Sequence, residues 1–513
     1  MNEDLNEVPN MQGSSEKLLQ RTAALSVIVN GVASLRQLII PLLIGLYSFR
    51  EDIASVSLAG TLIALAFLVI FVVTSLQWLR YTYCLAEQDI RVESGLLSRT
   101  ARSVPYRRIQ DVSFEQKLLP RLLGLVEVKI ETGAGGSDDL KLTYLTLVES
   151  NSFRKMIRER RDHHTSSGHN TETYHHSADA APSGVAIFKM DTKRLAIFGT
   201  FEFSLAVFAV IGGLLQYAET FLGFDIWDRD LLATIATNQR VSIEQLGPFV
   251  QFLTALAVFF ILVLVGFATG LIRTFLRDWG FVLEKTSHGF RRRRGLITKT
   301  DVVMPLHRVQ ALILSSGLVK RRFGWHSLKF VSLAQDAGSS HHVVAPFARI
   351  EELEPIIIAS NFSLPKDDLE WHQASQKYRR DRAGQIFLFG GLVTLTMAPW
   401  FSLPLLILPI LLGSLYASFS YFTWKFQRHA ISETQLFACR GLLFPITRIS
   451  SRAKLHSVEI QQGPIAAKRG YASLRLGLAG GDFSISGIPI ERARTLKSSI
   501  LSSITKSDFS ALT

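Results

Sequence analysis

Two glycines 29 residues apart recur three times in this chain, always in the same frame. The first set reads Gly95-Leu96-Leu97, Arg108-Ile109-Gln110 and Arg121-Leu122-Leu123-Gly124; the second reads Gly295-Leu296-Ile297, Arg308-Val309-Gln310 and Arg322-Phe323-Gly324. The third reads Gly441-Leu442-Leu443, Lys454-Leu455-His456 and Arg469-Gly470. A basic residue stands 13 positions after the first glycine in all three, with no gap. Such self-similarity restricts the chain to three copies of one supersecondary unit. Val126, Val128 and Ile130 alternate with Glu127, Lys129 and Glu131, the period of a half-buried strand, and Leu328 with Phe330 and Leu474 with Leu476 repeat it. Ile90, Phe290 and Leu436 stand in a strand before the first glycine, which supplies a tight turn. Helices over Leu147–Glu159, Pro346–Ser360 and Pro489–Ile504 are expected to close the copies, the last two with proline near the helix start.

Between the copies run long uncharged stretches. Ile53 to Leu79, Gln245 to Ile272 and Ala383 to Trp424 hold no charged residue, and the last is long enough for two crossings with a turn near Pro399 to Pro404. Leu195 to Leu215 carries only Glu202, while Ala23 to Phe49 is interrupted by Arg36 and Gln37. The spans are expected in three pairs: 23–49 with 53–79, 195–217 with 246–272, and 384–400 with 403–424. The segments behind the three hairpins then all face one side. The connection Phe221 to Leu246 has Arg229 and Arg240 against Asp225, Asp228, Asp230 and Glu244, whereas the segments after each pair are rich in Lys and Arg, which places the copies on the cytoplasmic side. A composition of 48% hydrophobic and 19% charged residues suits a chain partly in lipid, and the net charge of +13 is assigned to the anionic membrane surface.

The expected division is a polar N-terminal segment (1–22), a first hairpin (23–79) and domain (80–160), and a His/Ser-rich linker (161–190). A second hairpin (191–273) and domain (274–362) come next, then a polar linker (363–383), a third hairpin (384–424) and a third domain (425–505). Met1 to Gln20 lacks the basic and short apolar regions of a removable signal, and Cys84 and Cys439 read as free thiols.

The run from Gly95 through Arg108-Ile109-Gln110 to Gly124 and Gly135, behind a hydrophobic hairpin, resembles the membrane-flanked bacterial pleckstrin-homology-like domains of the YdbS/YdbT type. Three hairpin–domain units match the longer, YdbT-like members. The first copy fits best, the second has Trp325 where an aliphatic residue is usual, and the third lacks the proline and replaces Arg and Gln by Lys454 and His456. The resemblance implies a multi-domain membrane protein with six transmembrane helices in three hairpins, each followed by a β-rich PH-like domain, a bent sheet or split barrel with a C-terminal helix. It implies no catalytic activity. It also suggests a smaller one-domain relative as partner.

Candidate lipid or partner contacts are Arg99, Arg102, Arg107 and Arg108 in the first copy, Arg291, Arg292, Arg293, Arg294 and Arg308 in the second, and Lys454 in the third. A basic run near a membrane would attract anionic headgroups at about 1 kcal/mol per residue; the rival reading of Arg108, Arg308 and Lys454 is structural, bonding carbonyls at a strand start. His163, His164, His169, His175 and His176 lie in a Ser/Thr-rich stretch and read as linker, not a zinc site. Gly133-Ala134-Gly135-Gly136 reads as a hairpin loop and not a phosphate cradle. No nucleophile–base pair, HExxH motif or P-loop occurs, so no enzyme, cofactor or metal is expected, and no stacking pattern points to nucleic acid. The expected function is a scaffold or adaptor of the cytoplasmic membrane, binding a protein partner or anionic lipid; the alternative is a transporter or export accessory, for which Arg36 and Glu202 would be the polar groups in the spans.

Overall fold

The computed structural model describes residues 20–35, 53–96, 98–132, 140–166, 184–203, 248–287, 289–336, 339–397, 403–479 and 481–506. The chain forms two compact units, one holding the first domain and the other the second and third.

In the first unit, β1 (Gln20–Arg21), helices α1 (Ser26–Leu35) and α2 (Ile53–Arg80), β2 (Thr82–Leu85), β3 (Asp89–Ser94) and β4 (Thr100–Pro105) follow one another. The four strands make an antiparallel sheet in that order. Then come β5 (Ile109–Gln116), a short α3 (Leu118–Leu122), β6 (Leu125–Thr132) and β7 (Leu140–Thr146), an antiparallel meander, and α4 (Leu147–Ser166). The expected alternation holds where it matters: Ile90, Val128, Ile130 and Leu142 are fully buried. Phe153 and Ile157, one turn apart on α4, close the core over them. Gly95 turns β3 into β4 with φ at +117°, and a Cβ there would lie 1.9 Å from the Ser98 carbonyl oxygen. Gly295 and Gly441 repeat that geometry, which is why this glycine recurs.

The second unit opens with β8 (Val185–Lys189), α5 (Thr192–Phe201) and α6 (Pro248–Asp278). The second domain continues as β9 (Val282–Thr286), β10 (Gly289–Arg294), β11 (Lys299–Pro305), β12 (Val309–Ser315), α7 (Leu318–Arg322), β13 (His326–Asp336), β14 (Ser339–Ala348) and α8 (Ile350–Ala359). Next are β15 (His372–Gln373), α9 (Gln376–Met397) and α10 (Leu403–Trp424). The third domain is β16 (Arg428–Ile431), β17 (Gln435–Arg440), β18 (Ile446–Ser451), β19 (Leu455–Gln461), α11 (Pro464–Arg469), β20 (Tyr471–Leu478), β21 (Gly481–Pro489) and α12 (Ile490–Lys506).

Two expectations need correction. Pro346 lies inside β14, and α8 starts four residues later at Ile350, where the Glu352 carboxylate accepts the Arg349 N–H at 2.9 Å. The segments expected as linkers also carry strands: β8 pairs with β9 and β15 with β16, as β1 pairs with β2. Each domain thus takes one strand from before its hairpin. That strand satisfies the outer backbone groups of the next one and leaves less open edge.

Among the described residues one helical stretch, Phe259–Asp278, is long and apolar enough to cross a membrane; Ser26–Leu35 and Ala64–Arg80 are shorter apolar helices. Residues 36–49 and 204–247, with Arg36 and much of the first and third expected spans, lie outside the described residues. Helices α9 and α10 pack closely where Gly390 meets Gly413, a Cβ on either lying 3.5 Å from the other's Cα.

Candidate functional site

The four-arginine run is strand β10, and its side chains alternate between the two faces. Arg291 makes a double contact with Asp301 of β11, at 2.8 and 2.5 Å, and Arg293 pairs with Glu284 of β9. On the other face Arg292 is fully buried and donates to the Val343 carbonyl at 3.0 Å. Arg294 donates at 3.0 Å to Asp278, a fully buried carboxylate at the end of α6. These cations are thus held by carboxylates and a carbonyl of their own domain.

The recurring basic residue closes a short 3-10 turn before β5, β12 and β19. Arg308 is buried, whereas Arg108 is exposed, as are Arg99 and Arg102; the Arg107 side chain lies outside the described residues. Lys454 donates to the Val309 and His307 carbonyls at 2.7 and 3.4 Å, and burial lowers its pKa. It therefore ties the third domain to the start of β12 in the second. His307 beside it is held below the usual histidine range, by burial first and then by Arg308 and Lys454. His163 and His164 fall in α4; their side chains, like His169, His175 and His176, lie outside the described residues. Among the described residues no group of three His, Cys, Asp or Glu is placed to hold a metal.

The same joint is made by backbone. Strand β12 pairs antiparallel with β18, Ala311 opposite Ser450 and Ile313 opposite Arg448, so domains two and three share one seven-stranded sheet. Their cores interlock across it: Phe437 and Ile449 belong to the core of the second domain, and Ala311, Ile313 and Val331 to that of the third.

Where the third domain meets its hairpin, the Ser375 N–H donates to the Gly487 carbonyl at 2.6 Å and Gln427 Nε2 to that of Ser486 at 3.0 Å. Arg469 pairs with Asp381 at 3.0 Å, and Tyr378 meets Tyr471 edge to face. Beside this joint lies a cavity of about 310 Å³, between the last two turns of α10, the start of α9 and strands β17, β18 and β21. Arg382, Arg440 and Arg448 line it with Ser420, Thr423 and Ser484, and among the described residues no carboxylate does.

The family described as bacterial PH domain matches residues 32–161, 231–359 and 387–504, most of the chain and all three copies. The chain belongs to this family. Over 277 residues it is 22% identical to the UPF0699 transmembrane protein YdbT of Bacillus subtilis (strain 168). The match covers 53% of each, so the chain spans about half the length of that relative.

The cavity arginines, of which Arg440 and Arg448 lie in the third bacterial PH domain, escaped the sequence reading, although a signal existed for Arg448. Arg102 and Arg448 both stand seven residues after the first repeated glycine, where the second copy has Val302. Trp325, the departure in the second copy, stacks on Phe347 with ring centres 4.1 Å apart, with Arg194 and Arg349 against the same ring. It is a packing residue of that domain.

Proposed function

We propose that the chain is a scaffold of the cytoplasmic membrane, held by six transmembrane helices in three hairpins. Its bacterial PH domains, on the cytoplasmic side, recruit another PH-like domain by extending a sheet. The observation that carries this reading is the β12–β18 joint, which makes one domain edge the seat of the next domain. Strand β19 is the third domain's counterpart of β12, and among the described residues it pairs only with β20, at the edge of a three-stranded sheet. Strand β4 is the first domain's counterpart of β18 and ends its own four-stranded sheet. Transferring the register that sets Ile313 opposite Arg448 puts Glu459 opposite Arg102, an attractive cross-strand pair. A second copy of the chain therefore fits β19 through its β4, and unpaired strand edges are ready templates for such addition.

Glu202, offered by the transporter reading as an ionisable group in a span, is held by Lys320 of the second domain at 2.5 Å. That pairing favours a structural role at the joint between helix and domain.

A photo-crosslinking residue in place of Ile460, in full-length protein in its native membrane, tests the proposal. The expected product joins β19 to the Thr100–Pro105 peptide of a second copy. The same strand of a one-domain PH-like relative would keep the edge and change the partner. Labelling of lipid alone, or of a protein without a PH-like domain, would reject sheet extension.

A further inference from the structure

We infer that the cavity between the third hairpin and the third domain binds the phosphate of an anionic glycerophospholipid headgroup. Its size suits a small polar group, since ligand pockets begin at about 300 Å³. Its charge is one-sided: three guanidinium groups converge from α9, β17 and β18, with no carboxylate among the lining residues. Among the described residues Arg382 donates only to the Tyr378 hydroxyl, at 3.2 Å, an uncharged partner. Arg448 Nε is buried without a hydrogen-bond partner among the described residues. So is the hydroxyl of Ser420, a residue 7% exposed that lines the cavity. Buried polar atoms without partners are uncommon, and here the two point to an acceptor that supplies several oxygens. A phosphate does so, and guanidinium forks match its geometry.

The repeat provides an internal comparison. At the place of Arg440 the second domain has Arg294, held by the buried Asp278, and at the place of Arg448 it has Val302. At the place of Asp278 the third copy has Trp424. The third domain has therefore lost the internal anion that answers this arginine and gained a further cation.

The surroundings select a lipid over a soluble phosphate. The cavity opens beside the end of an uncharged 22-residue helix, at the level of Tyr416, Tyr421 and Trp424, with Phe419 in its wall. Arg379 stacks between Tyr421 and Trp424, with its charge 4.2 and 4.4 Å from the ring centres. Aromatic and basic residues collect in this way at headgroup depth. Burial lowers the pKa of Arg448, and Arg440 nearby adds to this while Asp482 opposes it.

The inference rests on reading α9 and α10 as a membrane hairpin. It is tested on the full chain in detergent by native mass spectrometry, with phosphatidylglycerol, phosphatidylcholine or glycerol 3-phosphate added in turn. The expected result is saturable retention of phosphatidylglycerol, weakened about tenfold or more in R440Q/R448Q and in the exposed-residue variant R382Q/R440Q, and unchanged in R494Q, whose arginine pairs with Glu491 away from the cavity. Binding of glycerol 3-phosphate through the same arginines, with no preference for phosphatidylglycerol, would make the site one for soluble phosphate esters and overturn the lipid assignment. Equal retention of both lipids by all variants would overturn the site itself. A chain soluble without detergent would instead remove the hairpin reading, so the two failures are distinguishable.

Discussion

His429 is the residue where pH should act most directly on this fold. It sits in β16 opposite His372 of β15, with Arg492 2.6 Å from the His372 Nε2 atom. Burial, then the nearby His372 and Arg492, push its pKa down to about 4. A histidine that is neutral in the fold and protonated when unfolded leaves its stability intact above its ordinary pKa near 6.5. That stability is lost as pH falls through the window down to about 4, a loss of about 3 kcal/mol if the whole shift is realised. Thermal unfolding of the purified chain in detergent should show a stability drop between pH 7 and 4.5 that H429L reduces. It should not vanish, because His307, His326 and His341 are also lowered, each by burial first; an unchanged slope in H429L would remove this account. The repeated glycines allow a graded test at the same scale. In Gly295→Ala the new Cβ meets the Thr298 carbonyl oxygen at 1.8 Å with φ at +111°, whereas in Gly324→Ala only the positive φ of +74° opposes it. The second should cost about 1 kcal/mol and the first clearly more, read as the difference in unfolding midpoint. The glycines were legible in the sequence because the turn admits nothing else. His429 was not, because its titration depends on a strand borrowed from before the hairpin.

Strands were read correctly where buried apolar residues alternate with less buried charged ones, as in β6, with Val128 and Ile130 fully buried and Glu127 and Lys129 partly exposed. Glu131 departs from that pattern, being buried with its carboxylate 3.3 Å from the Ser113 hydroxyl. Strand β10 is the harder case, since four arginines in a row carry no alternation that sequence reasoning can see. The partners that divide them, Glu284, Asp301, Asp278 and Val343, come from three other strands and a helix. Position then decides the energy. Arg293→Gln removes a half-exposed pair and should cost less than about 1 kcal/mol. Arg292→Leu leaves the Val343 carbonyl without its buried donor and should cost about 2–3 kcal/mol. Hydrogen exchange of the β10 and β14 amides in the full chain separates the two variants, and equal protection in both would contradict the alternation.

The whole-molecule topology obeys a constraint that neither hydropathy nor charge supplies. Because β12 and β18 share a ladder, the second and third domains lie on one side of any membrane the chain crosses, so the segment between them crosses an even number of times. Helix α10 has 22 uncharged residues and a rise of about 33 Å, with α9 beside it, so the proposed third hairpin, crossing twice, satisfies this constraint. An uncharged stretch in the sequence suggests two adjacent helices here, but it cannot show that the flanking domains are fused. The repeat extends the argument to the second hairpin, whose connection is acidic where the domains are basic. In a background without Cys84 and Cys439, Thr237→Cys in that connection should react with a membrane-impermeant maleimide on intact cells. Glu491→Cys, at an exposed position on α12, should react only after the membrane is opened. Labelling of Glu491→Cys alone from outside would invert the orientation. Labelling of both from one side would leave the β12–β18 joint intact while removing the second hairpin, since that joint constrains only the segment between domains two and three.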